Sequence, residues 1–418
     1  MSIGSLPRLR LYTTAGQYFQ VTVDFLTGRW RRGGDVAQAE KAIAARVGTK
    51  HAVLTSMARV GIYLALKNTI QPGQKVIVSP YTIVDVINMV VCAGGVPLFA
   101  DLDTDTCNIS ADAVEELLAT QSNVGAVMVT HFYGLACDVA RISAMCERRG
   151  VALLEDAAQA FGVAVQGKPV GTFGRAGIFS FGLYKNVNSF YGGAVVTDDD
   201  DLAAALRRDV SALPPISTAF YYKKVISGLI TDIVTWPPLF RIFTFQIFRY
   251  GIRNNVDSIN NKLKIDTNPK LIHEVPAEYL VQPSAMQARM IVGQLPNVEA
   301  DTLRRQQHAQ RYREGLADLP ELRVPPAVPQ GEHMYWYFPI QYDKREDLVR
   351  YSMRNDRDIT LSYHRNCAAL PCFSEFARDC PNAERTANAV IYLPTYPRYA
   401  AKEIDRTVKI IHSFFNAA

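Results

Sequence analysis

From Thr49 to about Thr197 the chain alternates between helical apolar spacing and short, wholly apolar runs. No other feature constrains the fold as strongly. Buried runs of strand length separated by helix-length segments predict a mostly parallel sheet, because parallel strands need a crossover and are covered on both faces. The runs Ala52–Thr55, Lys75–Val78, Val96–Ala100, Gly125–Thr130, Val151–Glu155, Gly177–Phe181 and Gly193–Thr197 read as strands. Between them Ala58–Asn68, Thr82–Ala93, Ala111–Leu118 and Val139–Arg149 read as helices. The expected fold class is α/β, with a three-layer, mostly parallel sheet as its large domain. Ligands of such sheets sit beyond the carboxyl ends of the strands. Here those ends read Thr55-Ser56, His131, Glu155-Asp156 and Ser180.

A second unit begins near Ala285, with a long amphipathic helix through QARMIVGQLPNVEADTLRRQQHAQRYREGL, the strand MYWYFPIQY and the helix REDLVRYSMRN. It closes with a helix over Ala400–Phe415, an α+β order. The 418 residues suit two or three domains. The expected division is a large domain over 1–213, an insertion over 214–283 and a small C-terminal domain over 284–418.

Lys and Arg number 45 against 40 Asp and Glu, a net +5 with no polyanion footprint, so no nucleic-acid partner is expected. The seven cysteines include no C-x-x-C pair. That argues for scattered buried thiols in a reducing compartment rather than disulfides or a metal site. The start, MSIGSLPRLRLYTTAG, lacks the apolar run of a signal peptide, and no stretch reaches eighteen uninterrupted apolar residues. The expected location is cytoplasmic.

The segment carrying most chemistry is ALLEDAAQAFG, where a buried strand ends in Asp156 and Gln159 follows. A carboxylate at a strand terminus reaches the sheet crevice without burying its own backbone. In GIFSFGLYKN, Lys185 follows Ser180 in the loop after another strand. A lysine leaving an apolar strand end loses solvation, which lowers its pKa and favours Schiff-base chemistry. An isolated Asp before AAQA reads equally well as a helix N-cap. The joint occurrence with Lys185 favours the chemical reading.

These two segments resemble the DegT/DnrJ/EryC1/StrS family of sugar aminotransferases, of the aspartate-aminotransferase fold type. The resemblance also runs through FLTGRWRRGGDVAQAEKAIAARVGTKHAV, IQPGQKVIVSPYTIVD, GGVPLFADLDTDTCNI, THFYGLACDV, GGAVVTDD, QARMIVGQLPNV and YLPTYPRYAAKEID. It implies pyridoxal 5′-phosphate as cofactor, carried by Lys185 as a Schiff base, with the freed lysine later moving a proton. Asp156 would pair with the protonated pyridine nitrogen and keep the ring an electron sink. Gln159 would contact the ring oxygen and Ser180 the phosphate. The resemblance also implies a homodimer with active sites at the subunit interface.

The sequence departs from the family in places. The usual Ser-Gly-Thr phosphate turn is here Ser56-Met57-Ala58-Arg59, with either Ala58 or Arg59 in the threonine position. Arg59 is favoured, since a guanidinium at a helix start offers charge-assisted donors to a phosphate. In EYLVQPSAMQ, Leu280 and Gln282 replace the Asn and Arg of the family. The position of the aromatic that covers the cofactor ring is Ile83, with Tyr81 close by. The resemblance places His131 and Tyr133 of THFYG at the site's rim, whereas packing is the commoner role of a lone His after a strand. SYHRN offers His364 and Arg365 as contacts to sugar or phosphate.

The middle of the chain fits neither pattern. Residues 218–253 form two apolar arms around Trp236-Pro237-Pro238, where the prolines must break any helix. Each arm is too short to span a bilayer and long enough for an interfacial helix. Five basic residues (Lys223, Lys224, Arg241, Arg249, Arg253) against Asp232 give a net +4. Two readings stand. One is a monotopic helical hairpin making peripheral contact with the inner face of the cell membrane. The other is a helix pair packed on the dimer surface or capping the active site.

The function implied is transfer of an amino group, from glutamate, to a keto-sugar carried on a nucleotide or a lipid, for amino-sugar biosynthesis. A rival from another class is a non-catalytic regulatory or assembly protein of the same fold at the membrane. Retention of both Lys185 and Asp156 argues against it. A dehydratase of this fold carries histidine in place of the lysine, and Lys185 disfavours that reading too.

Overall fold

The alternating segments resolve, in a computed structural model, into one seven-stranded sheet wrapped by helices. The structure describes residues 4–11, 13–31, 34–254, 256, 268–329, 332–362 and 364–417. The strands are β1 His51–Thr55, β2 Lys75–Val78, β3 Val96–Phe99, β4 Val124–Thr130, β5 Ala152–Asp156, β6 Ala176–Ser180 and β7 Gly193–Thr197. Their order across the sheet is β1-β7-β6-β5-β4-β2-β3. All pairings are parallel except those of β7, which runs opposite to both its neighbours.

Side-chain alternation divides the core. Val76 and Val78 of β2 face one cluster together with Ala126 and Met128 of β4. Ile77, Val127 and Val129 face another on the opposite side. The first side is covered by α3 Ala58–Lys67 and α4 Val84–Cys92, the second by α5 Ala111–Thr120 and α6 Val139–Arg149. Two more helices, α1 Ala15–Leu26 and α2 Asp35–Val47, precede the sheet, and α7 Asp200–Ala212 follows it. The expected three-layer architecture is present.

Two helices then interrupt the fold, α8 Thr218–Val234 and α9 Pro237–Arg253, separated by Trp236 in an extended conformation (φ −61°, ψ 124°). Pro237 and Pro238 occupy the first turn of α9, where a missing N–H costs nothing. The axes turn through 61° at this break. The expected hairpin is therefore a bent pair: the prolines start a new helix at once and leave no loop long enough to reverse the chain. Of the expected insertion 214–283, residues 255 and 257–267 lie outside the described residues.

The C-terminal part contains α10 Ala285–Gln294, α11 Val298–Gly315, α12 Arg345–Arg354, α13 Pro381–Ala389 and α14 Ala401–Ala417. Its antiparallel sheet has the order β8-β10-β9, with β8 Phe338–Gln341, β9 Thr360–Leu361 and β10 Val390–Leu393. Three expectations change in detail. The single long helix is two, broken at Leu295–Asn297, where Pro296 cannot donate to the preceding turn. The strand expected over MYWYFPIQY pairs only from Phe338, because Tyr335 takes φ +53° and the Trp336 N–H bonds the Tyr133 carbonyl instead. The helix expected from Thr82 starts at Val84, since Tyr81 and Thr82 pair with Asn366 and Arg365 as a short strand.

Candidate active site

Two neighbouring strands, β5 and β6, end side by side and deliver the chemistry. Asp156 is the last residue of β5 and Ser180 the last of β6. The loop from Phe181 to Gly192 then carries Lys185 across the top. Its path is set by polar anchors. Asn186 Nδ2 donates to the Phe161 carbonyl (2.8 Å), and Asn188 Nδ2 to Thr13 Oγ1 (3.0 Å). Phe190 is held at φ +66°, a left-handed conformation that a bulky residue adopts only under constraint, with its N–H on Asn188 Oδ1 (2.6 Å).

Burial lowers the pKa of Lys185 from 10.5 to about 8, with the Asp156 carboxylate pulling the other way. Asp156 responds in mirror fashion. Its pKa is raised by burial, opposed by the Ala158 N–H at 3.0 Å and by the charges of Lys185 and His131. Below the lysine, the Trp336 ring centroid lies 4.6 Å from Nζ, and its indole N–H donates to the Tyr184 carbonyl (2.8 Å). Sequence reasoning missed Trp336. It stands 151 positions after Lys185 in a run that reads as an ordinary strand.

The residues of THFYG lie deeper than expected. His131 has no exposed surface; its Nε2 lies 3.1 Å from Glu155 Oε2, and the Cys137 N–H points at Nδ1 (3.3 Å). Burial opposes its protonation, and Cys137 and Glu155 more than offset that, raising its pKa. It therefore braces Glu155 behind Asp156 and does not stand at the rim. Glu155 also accepts the N–H groups of Gly171, Phe173 and Gly174 (2.7, 2.6 and 3.0 Å). Tyr133, at φ +59°, is likewise fully buried rather than at the rim, its N–H donated to Gln159 Oε1 (2.7 Å). That bond turns the amide NH2 of Gln159, which remains partly exposed, into the group available to an acceptor.

Tyr81 departs from its expected place beside the cofactor ring. It is fully buried, with its hydroxyl 2.6 Å from both Tyr133 OH and Ser362 Oγ. Ser362 Oγ in turn meets Tyr392 OH (2.8 Å), which meets His364 Nδ1 (2.6 Å). This hydroxyl cluster joins the segment after β2 to the C-terminal antiparallel sheet, and a side chain so enclosed has no face to stack on a ligand. Ile83 keeps a partly exposed position at the start of α4. His364 and the partly exposed Arg365 border a cleft of about 380 Å³ together with Arg345 and Asn388. Burial, reinforced by the charge of Lys185, lowers the pKa of His364 to about 3.

At the phosphate turn, Ser56 Oγ donates to the Tyr279 carbonyl (2.7 Å). Arg59 does not point free into the site. Its Nη1 pairs with Asp85 and bonds Tyr279 OH (3.2 Å), and its guanidinium lies over the Tyr279 ring at 4.9 Å. A cation already neutralised by a carboxylate is a poor phosphate donor. The backbone is better placed: α3 starts at Ala58 after Met57, with no side-chain cap, so its first N–H groups keep their donors for an anion. Gly193 passes so near that a Cβ there would lie 2.5 Å from the Ala58 nitrogen. Gln282 bonds the Ser211 and Pro214 carbonyls, closing this segment onto the end of α7.

This donor set fits pyridoxal phosphate. Were it bound, Lys185 would supply an amine of lowered basicity, Asp156 a buried carboxylate for a protonated ring nitrogen, Gln159 an amide donor, and Ser180 with the start of α3 the phosphate donors.

Comparison with known proteins agrees. The chain is 28% identical over 414 residues to the spore coat polysaccharide biosynthesis protein SpsC of Bacillus subtilis (strain 168), covering 96% of this chain and 94% of that one. It is 26% identical over 393 residues to the GDP-perosamine synthase of Vibrio cholerae, covering 92% of each. Among solved structures it resembles DesI, determined in the presence of its TDP-sugar product, with TM-score 0.70, 25% identity and coverage of 99% and 93%. Residues 17–214 and 265–412 match a single family, leaving the segment around α8 and α9 outside the match. The chain belongs to the DegT/DnrJ/EryC1/StrS aminotransferase family and is a pyridoxal-phosphate-dependent sugar aminotransferase.

Proposed function

We propose that the protein transfers an amino group from glutamate to a keto-sugar carried on a nucleotide or a lipid, acting as a homodimer on the cytoplasmic side. The product would enter amino-sugar units of cell-surface polysaccharide, lipid or secondary metabolites. The names of the two relatives above, one in spore coat polysaccharide biosynthesis and one a perosamine synthase, support this class of substrate. The dimer rests on the family resemblance. No observation favours the non-catalytic reading.

The observation that carries the reading is that two neighbouring strand ends bring the buried carboxylate of Asp156 and the loop of Lys185, its Nζ over the Trp336 ring, to the same edge of the sheet. Pyridoxal phosphate, when bound, supplies the electron sink that stabilises negative charge beside the transferred nitrogen. The chain supplies the rest. Lys185 Nζ, whose lowered pKa of about 8 leaves a free-amine fraction at mildly basic pH, takes a proton from carbon and returns it to carbon. Asp156 fixes the charge that keeps the sink effective, and Trp336 covers the amine from below. Both half-reactions reuse the same lysine.

The test is to mix the loaded protein with glutamate and quantify 2-oxoglutarate, then add a nucleotide-linked keto-sugar and quantify amino-sugar. One equivalent of 2-oxoglutarate per site in the first step, and amino-sugar in the second, is expected. Sugar consumed without 2-oxoglutarate formed would replace glutamate as donor, and turnover by the Lys185→Ala variant would overturn the assignment of the lysine.

A further inference from the structure

Eleven of the fifteen large hydrophobic side chains exposed among the described residues lie on α8, α9 and the break between them. On α8 they recur at helical spacing, as Ile226, Ile230 and Ile233, and on α9 as Phe243 and Ile247, with Trp236 at the bend. Ile230 is 54% exposed, Ile247 55% and Phe243 60%. A stripe of this size on a folded enzyme marks a surface that something covers. No single described helix is long and apolar enough to cross a membrane; α8 and α9 together are, by length and composition, but they turn through 61° at Trp236.

The opposite face of α8 is firmly seated. Tyr221 is buried with its ring 5.8 Å from those of Trp30 and Tyr191, and Tyr18 OH donates to Asp232 (2.8 Å). At Gly228 the helix approaches the lysine loop so closely that a Cβ would lie 2.6 Å from the Phe190 ring. The apolar stripe is therefore one helix thickness, about 10 Å, from the loop that carries Lys185.

We infer that α8 and α9 form a platform that lies in the interfacial layer of an anionic lipid bilayer and holds the lysine loop at the membrane surface. Charge selects this occupant. Lys223 and Arg253, near the two outer ends of the bent pair, are exposed, with no carboxylate partner among the described residues. Anionic headgroups complement them, whereas a second copy pairing through the same stripe would set like charges against each other. Isoleucines between the ends and an aromatic at the bend suit insertion to the depth of the headgroup boundary. The inference holds whichever carrier bears the sugar, and its test needs no sugar.

The pyridoxal-phosphate-loaded full chain is sedimented with vesicles of phosphatidylglycerol and phosphatidylcholine in equal parts, and with vesicles of phosphatidylcholine alone. Binding to the mixed vesicles is expected, and the Ile230→Glu/Ile247→Glu variant should lose at least about tenfold in partitioning while keeping its cofactor absorbance band. Lys223→Glu/Arg253→Glu should remove the preference for the anionic vesicles. In the wild-type protein, bromine-labelled acyl chains should quench tryptophan emission, and Trp236→Leu should abolish that component. Wild-type protein that stays in the supernatant, or partitioning unchanged in the Ile230→Glu/Ile247→Glu variant, would overturn the inference. So would a dimer that this variant splits without any vesicle binding, since the stripe would then be an interface between copies.

Discussion

The ammonium of Lys185 sits 4.6 Å from the centre of the Trp336 ring, so a residue of the C-terminal part floors the lysine carried by the loop after β6. Two effects of the ring oppose each other. Its π face favours the charged amine by about 0.5–1 kcal/mol, less than one pH unit, whereas burial has already lowered the pKa from 10.5 to about 8. Exclusion of water wins. The rate of cofactor loading, followed by the absorbance band at the visible edge, should rise with pH through a midpoint at about 8 and level off about one to two pH units higher. In Trp336→Ala the midpoint should move up towards 10.5; an unchanged midpoint would show that the ring does not control the amine.

Glu155 is the buried hub behind Asp156, accepting three N–H groups with His131 beside it. In Glu155→Gln the new NH2 must face N–H donors whichever way the amide turns, the Gly171 N–H on one side or those of Phe173 and Gly174 on the other. The expected cost is about 2–4 kcal/mol, seen as a lower urea midpoint for the cofactor-free protein. A midpoint within error of wild type would mean that water satisfies the loop instead.

His364 gives a pH dependence of defined sign. Burial and the Lys185 charge lower its folded pKa to about 3, while the unfolded chain titrates near 6.5. Between these values the unfolded state binds the extra proton, so this group's contribution to stability is complete above about 6.5 and shrinks as pH falls towards 3. The slope is about 1.4 kcal/mol per pH unit. His364→Gln should flatten the acid side of the urea-midpoint profile by that amount relative to wild type. Parallel profiles would show that the imidazole is solvated in the folded protein.

What could be read from the sequence was local. Strand ends and the Asp156 and Lys185 positions emerge from apolar runs and short spacings, which the backbone converts directly into neighbouring strand termini. Depth and partnership could not be read. His131 and Tyr133 sit where the strand pattern puts them, but Glu155 and the small-domain residues Ser362 and Tyr392 bury them. Tyr81 fails as a ring cover because its hydroxyl partners arrive from distant parts of the chain. The hairpin expectation failed for a local reason, since Pro237-Pro238 suit a helix start as well as they suit a helix break.

The phosphate turn separates a side-chain donor from a backbone one. Were Arg59 the main phosphate ligand, Arg59→Ala would weaken cofactor binding by at least about tenfold, the scale of a charge-assisted bond. The structure spends the guanidinium on Asp85 and Tyr279, so Arg59→Ala should change the cofactor Kd by less than about threefold. Gly193→Ala should do far more, because a Cβ placed 2.5 Å from the Ala58 nitrogen forces the helix start to move and takes its N–H groups off the anion. A loss of about tenfold or more in cofactor affinity is expected for Gly193→Ala, measured by equilibrium dialysis, with the folded circular dichroism spectrum retained. The reverse ranking, a large loss in Arg59→Ala and little in Gly193→Ala, would return the phosphate to the arginine and require Asp85 to release it on binding.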